Sequence, residues 1–384
     1  MLRTFVLCDA TSPKGVTMTQ QSCTPEENEA RIPEYLTYRD GLFRRERKHS
    51  MQYIPSPSPL LEAPIVDTHA HVGMLYDPAL TLARCGYQGM DFVCCITDPA
   101  EAGDAEATYE NVSTWRSQAF SLLPDIFSAS RAFLEDYREE MRVNNTPLPQ
   151  DPTADENMSY RCGCTARIPE IRVASGVHPH NAQCYDDAME KRLKSYAADP
   201  LTCAIGEIGL DYYYDLSPRE VQRDVFRRQI QLAHETGLPI ILHMRDAHDD
   251  GFAILEEEGW PEAGVLLHCC SVGPEELKRW IDRDCYVAFG GAVTFSRSDD
   301  LRESAKIVPV NRLLAETDSP YMAPVPFRGM ENGPEFTVYI GEYLAALRGI
   351  EPGLERKEFL WQLHDNAHGL LNRNLTGWQN YYDA

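Results

Sequence analysis

From residue 64 onward, short apolar runs rich in β-branched residues alternate with stretches whose apolar positions recur at helical spacing. The runs predict strands near Ile65–His71, Phe92–Thr97, Arg172–His178, Cys203–Glu207, Pro239–His243, Val265–His268, Tyr286–Phe289 and Leu313–Thr317. Amphipathic helices are predicted between most of them, for example over Pro218–Thr236 and Pro274–Arg283. Strand and helix alternating eight times is the pattern of a parallel (β/α)8 TIM barrel, an α/β fold. The barrel is expected to occupy residues 64–384.

Two segments fall outside this pattern. Residues 99–167 are too long for a plain connection between a strand and its helix. They predict a helix around Asn111–Arg142, then a polar stretch rich in Pro and Asn, and are read as an insertion after the second strand, over one rim of the barrel. Residues 1–63 are read as an N-terminal extension, partly flexible, with a few docked residues. It holds a basic cluster, Arg44-Arg45-Glu46-Arg47-Lys48, and a run expected to be a stiff linker or turn, Pro55-Ser56-Pro57-Ser58-Pro59.

No apolar run approaches the roughly 20 residues needed to cross a membrane. The first residues lack the apolar stretch of a secretory signal. The expectation is a cytoplasmic protein, with no membrane partner and with its 12 cysteines as free thiols. Cys162-Gly163-Cys164 is the one pair that suggests a metal, and no second pair at zinc-site spacing lies near it.

Chemistry concentrates where the strands end. The first strand reads Ile65-Val66-Asp67-Thr68-His69-Ala70-His71. Alternate strand residues face one side, so His69 and His71 converge, a pairing that suits one divalent metal. The fourth strand ends at Glu207, the fifth at His243 and the sixth at His268. Asp318 follows the eighth. Barrel enzymes carry their active sites at these C-terminal ends. Six candidate ligands from five strands are thus expected in one pocket. A lone His after an apolar run is usually a satisfied core residue. Four imidazoles and two acids in one mouth are costly to bury without a metal or a full hydrogen-bond network.

The blocks Val66-Asp67-Thr68-His69-Ala70-His71, Gly176-Val177-His178-Pro179-His180, Ile205-Gly206-Glu207-Ile208-Gly209-Leu210-Asp211-Tyr212, His243-Met244-Arg245-Asp246, Leu267-His268-Cys269 and Glu316-Thr317-Asp318-Ser319-Pro320-Tyr321 together resemble the TatD family of metal-dependent deoxyribonucleases. They stand in the family order, from about residue 64 to 373. The paired His motif alone is shared by many amidohydrolases; the other blocks make the set specific. The resemblance implies a barrel with two divalent metal ions. Glu207 would bridge them; His69, His71 and Asp318 would complete one site, and His243 and His268 the other. It also places His178 near a substrate phosphate.

That assignment is chemically coherent. Two cations close together need a shared anion, and Glu207 offers two oxygens. Such ions lower the pKa of water and clamp a phosphate oxygen, and Asp318 is the candidate general base. The mixed donor set accepts Zn, Mn, Mg or Co. Arg245 and Arg328 are candidate substrate-binding cations. Arg328, Asn332 and Pro334 match a family pattern, Arg-Gly-Lys followed by Asn and Pro, in which Met330 replaces the Lys.

The expected activity is therefore cleavage of DNA phosphodiester bonds, as a 3′ to 5′ exonuclease on single strands. The net charge of −23 argues against broad binding of long nucleic acid. Short single strands or strand ends are the expected partners. Two other readings stand beside it. One is an ester or amide hydrolase, such as a D-aminoacyl-tRNA deacylase or a small cyclic amidohydrolase. The other is a non-catalytic protein that keeps metals for shape; the intact ligand set speaks against it.

Overall fold

The structure, a computed structural model, describes residues 61–143 and 167–382, with only the backbone over 127–141 and in the hairpin Leu42–Glu46/Tyr53–Pro57. The chain divides into two compact units, Met1–Pro57 with Pro124–Pro149, and Ser58–Leu123 with Gln150–Ala384.

In the first unit, Leu42–Glu46 and Tyr53–Pro57 pair antiparallel, Leu42 opposite Pro57 and Glu46 opposite Tyr53. Part of the run expected to be a linker is thus a strand. In a two-stranded ribbon both strands are edges, where Pro55 and Pro57 are tolerated because their missing N–H groups can face away from the partner.

The second unit holds the barrel. Its strands are β1 (Asp67–Ala70), β2 (Phe92–Thr97), β3 (Glu170–Ser175), β4 (Thr202–Asp211), β5 (Ile240–Arg245), β6 (Val265–Leu267), β7 (Tyr286–Phe289) and β8 (Leu313–Ala315). They pair in parallel and in sequential order. The first and last strands meet through a single bridge, Ala70 to Ser319, so the barrel is nearly closed. Helices follow each strand: α1 (Pro78–Tyr87), α2 (Asp104–Val143), α3 (Asp187–Ala198), α4 (Arg219–Thr236), α5 (His248–Glu258), α6 (Pro274–Asp282), α7 (Asp299–Ile307) and α8 (Thr337–Leu347). Two more, α9 (Leu354–Leu371) and α10 (Gly377–Tyr382), end the described chain. The eight strands are those expected from the apolar runs.

Local chemistry sets several boundaries. Asp77 caps α1 by accepting from the Leu80 amide at 2.9 Å, with Pro78 at the first helical position. Asp186 caps α3 by accepting from the Met189 amide. Gly237 closes α4 in the left-handed region. Inside the barrel, Val66, Phe92, Cys94, Ala174, Ala204, Ile241, Leu266, Ala288 and Leu314 form one buried cluster. Strands buried on both faces read as near-continuous apolar runs, which is why the sequence pattern was clear.

Helix α2 begins at Asp104, seven residues before the helix expected there, and its first turns bury Ala105, Thr108, Val112 and Ala119. Residues 144–166, including Cys162 and Cys164, lie outside the described residues. Cys85, Cys94, Cys95, Cys203, Cys269, Cys270 and Cys285 are free thiols. No described helix is long and apolar enough to cross a membrane.

Candidate metal centre

β1 ends in the pair expected to converge. His69 is fully buried and His71 half-buried, and the Nε2 atoms of both face Asp318 Oδ1, at 3.7 and 3.6 Å. Asp318 reaches them because the seam between β8 and β1 is stitched: its amide donates to the His69 carbonyl at 2.9 Å, and the His71 amide donates to Ser319 at 2.8 Å.

Glu207 stands at the centre. Its Oε2 is 3.4 Å from His69 Nε2. Its Oε1 faces three imidazoles: His243 Nδ1 at 2.6 Å, His268 Nε2 at 3.2 Å and His178 Nε2 at 3.8 Å. The six expected ligands therefore meet, and His178, expected at the substrate, joins them at the longest distance from Glu207. The rings of His69 and His268 stack, 3.6 Å between centroids.

The charges are mutually dependent. Burial alone would raise the Glu207 carboxyl, but His268, His69 and His243 hold it well below the usual range. Burial likewise opposes ionisation of Asp318, and a hydrogen bond from His71 with the charges of His268 and His69 lowers it. His178 is pushed well down by burial and by His243, so it is a neutral imidazole.

These residues fit a metal. Both ring nitrogens of His69 are buried without a hydrogen-bond partner, a costly state for an imidazole beside two carboxylates. Three groups bring their donor atoms within 4.8 Å of one another: His69, His71 and Asp318; His69, Glu207 and His268; His178, Glu207 and His243. Imidazole and carboxylate together suit divalent cations.

Residues 66–371 match the family model described as TatD related DNase. The chain belongs to the TatD family. Its relatives include the uncharacterized metal-dependent hydrolase YabD of Bacillus subtilis, 42% identical over 46% of this chain and 70% of that protein. The metal-dependent hydrolase YcfH of Escherichia coli K12 is 43% identical over 46% of this chain and 65% of that protein. The chain thus aligns with about two thirds of the length of these relatives. A Klebsiella pneumoniae relative, named 3′-5′ ssDNA/RNA exonuclease TatD, is 33% identical over 55% of this chain and 80% of its own. The crystal structure of the TatD homolog YJJV from Escherichia coli K12 superposes with a TM-score of 0.59 at 23% identity, over 82% of this chain and all of that one, and shows the same fold. This TatD-family protein is therefore a metal-dependent hydrolase on a TIM barrel.

Around the centre stand further residues that hold it in place. Asp98, just after β2, accepts from the His178 amide at 3.1 Å, the Asn181 side chain at 2.8 Å and the Ala100 amide; burial pushes its carboxyl up to about 7. Glu316 Oε1 lies 3.1 Å from His268 Nδ1 and accepts from the Cys269 amide at 2.7 Å. Asp211 Oδ2 is shared by His180 and His243, at 2.9 and 3.0 Å. Gln222 and Gln229, two turns apart on α4, are buried and hold the backbones of Asp211 and Val177. Their signal in the sequence was two amides on the buried face of an amphipathic helix.

The two expected substrate cations are engaged with aromatic rings. The Arg245 guanidinium lies over Tyr213 and Tyr214, at 4.1 and 4.6 Å, and both rings are exposed. Arg328 stacks 3.6 Å over Phe295. Tyr212 donates to Asp250 at 2.6 Å and carries Arg219 on its ring.

Proposed function

We propose that this TatD-family hydrolase cleaves phosphodiester bonds at the 3′ ends of short single-stranded DNA, using two divalent metal ions. The observation that carries the reading is Glu207, whose two oxygens face different imidazoles: Oε2 toward His69, Oε1 toward His243 and His268. His69, His71 and Asp318 complete one site with Glu207; His243 and His268 complete the other. When bound, such ions supply a water of lowered pKa and a clamp on the phosphate oxygen.

The chain's own groups do the rest. Asp318 is ionised and so able to take a proton at Oδ1. Glu207, buried and anionic, balances the cations. Asp211 fixes the rings of His180 and His243, and Glu316 fixes His268. His178 is the least engaged imidazole around Glu207 and is neutral, so it can donate to a phosphate oxygen. Arg245 and Arg328 are assigned to the substrate backbone, their planes held by Tyr213, Tyr214 and Phe295. Catalysis is assigned to the barrel, with 1–63 as an extension and 99–167 as an insertion.

The name of the Klebsiella relative supports the substrate class. The test is degradation of a short single-stranded oligonucleotide after chelation and readdition of Zn, Mg, Mn or Co. Metal-restored shortening from the 3′ end is expected. No restoration with any of them, alongside metal-restored cleavage of an aminoacyl ester, would overturn the nuclease and leave the hydrolase class standing.

A further inference from the structure

A second constellation of imidazole and carboxylate lies away from the mouth. Asp91 immediately precedes β2, at the strand's N-terminal end, whereas the metal centre gathers at the C-terminal ends. The six residues of β2 separate the two levels by roughly 20 Å. Facing Asp91 are His364 and His368 on α9, spaced i and i+4 and therefore on one face of the helix.

The donor atoms converge. His364 Nε2 is 3.0 Å from Asp91 Oδ2, and His368 Nε2 is 3.4 Å from Asp91 Oδ1. One donor atom from each residue lies within 4.8 Å of the others. Zinc ligands about 2.0–2.1 Å from a tetrahedral ion sit roughly 3.3 Å from one another, near the 3.0 and 3.4 Å that separate each imidazole from its own Asp91 oxygen. The remote nitrogen of His364 is also held. His364 Nδ1 lies 3.3 Å from Asp365 Oδ1, the carboxylate contact that leaves the other nitrogen's lone pair free for a metal. All three candidate ligands are half-buried, so water can complete the coordination. The two imidazole rings are only 4.2 Å apart, an arrangement that two protonated rings would resist and a shared cation would favour.

We propose that Asp91, His364 and His368 form a separate site for one divalent transition-metal ion of the zinc class, at the end of the barrel opposite the candidate metal centre. Bound there, the ion pins α9 to the start of β2. This site is independent of the nuclease reading and of how many ions the mouth holds.

The test uses the full chain, stripped with chelator, dialysed against Zn2+ and analysed for metal, beside the double variant H364Q/H368Q. The variant is expected to hold one ion fewer per chain, to lose the rise in Tm that Zn2+ gives at this site, and to keep the wild-type hydrolytic rate. Equal ion counts in the two folded proteins would overturn the site, whatever the count at the mouth. If the variant does not fold, diethyl pyrocarbonate labelling of wild type, mapped by peptide mass spectrometry, decides. Zn2+ is expected to protect His364 and His368; unchanged labelling at both would overturn the proposal.

Discussion

The Thr317 hydroxyl donates to Asp67 at 2.5 Å, joining the residue that opens the first barrel strand to the loop after the last. Asp67 also accepts from the Thr317 amide at 2.9 Å and the His69 amide at 3.1 Å. All three groups are buried. The seam that nearly closes the barrel is therefore also the clamp that sets His69 against Asp318. Thr317→Val keeps the shape and removes the strongest donor. It is expected to cost about 1–3 kcal/mol, the penalty for a buried acceptor losing its partner. Urea unfolding measures it; an unchanged midpoint would show that the seam does not depend on this bond.

Much of this was legible before the fold was known, for identifiable reasons. Phe92–Thr97 and Tyr286–Phe289 were bounded correctly because strands covered on both faces are apolar throughout. The fourth strand was expected to end at Glu207, yet it continues to Asp211. Gly209 explains the continuation. At φ +142° its backbone lies so close to β5 that a Cβ would stand 2.1 Å from the His243 carbonyl, and so Asp211 is carried to His180 and His243. Nothing in the local pattern signals such an approach between neighbouring strands. Strand-end logic found the residues that gather around Glu207 but passed over Asp98 and the two glutamines of α4, which act through backbone amides and carbonyls. The aromatic partners of Arg245 and Arg328 were equally invisible, because they come from loops after other strands.

Asp318→Asn and Glu207→Gln separate the proposed base from the proposed bridge. Each is expected to lower turnover by at least about 10²-fold, the scale of general acid–base help. Glu207→Gln is also expected to lower the metal content. Near-normal turnover of Asp318→Asn with unchanged metal content would remove it from the role of base.

His178 tests the boundary between metal and substrate. At 3.8 Å from Glu207 it is farther away than His243 or His268. His178→Ala is expected to raise KM for the oligonucleotide by about tenfold, roughly the worth of one lost hydrogen bond, with metal content unchanged. Loss of one ion from the folded variant would reassign His178 as a ligand.

His248 gives a pH dependence away from the proposed ligand set. It is buried against Trp280, at 5.7 Å between ring centroids, and burial, with the charges of Arg279 and His243, lowers it to about 4. The unfolded chain titrates near pH 6.5. Between those values the unfolded state binds the extra proton, so stability is lost as pH falls from about 6.5 toward 4. From pH 7 to 5 the wild type is expected to lose roughly 2 kcal/mol more than His248→Phe. Parallel stability curves in urea would exclude this group as the source.

The substrate's length is the sharpest question that the charge poses. The chain carries 36 basic against 59 acidic residues, and the family's rim lysine is replaced by Met330. A long duplex is a dense line of negative charge that such a surface repels beyond a few phosphates. On the proposed reading, local attraction is left to the candidate metal centre, His178, Arg245 and Arg328. Few neutralised phosphates imply a shallow dependence of binding on salt, since the slope follows their number. Met330→Lys is expected to lower KM for a short single strand and to steepen that slope by about one phosphate's worth. Measuring KM against salt for both proteins checks this. A wild-type slope equivalent to about six or more phosphates would reveal an extended basic track and refute the preference for short strands.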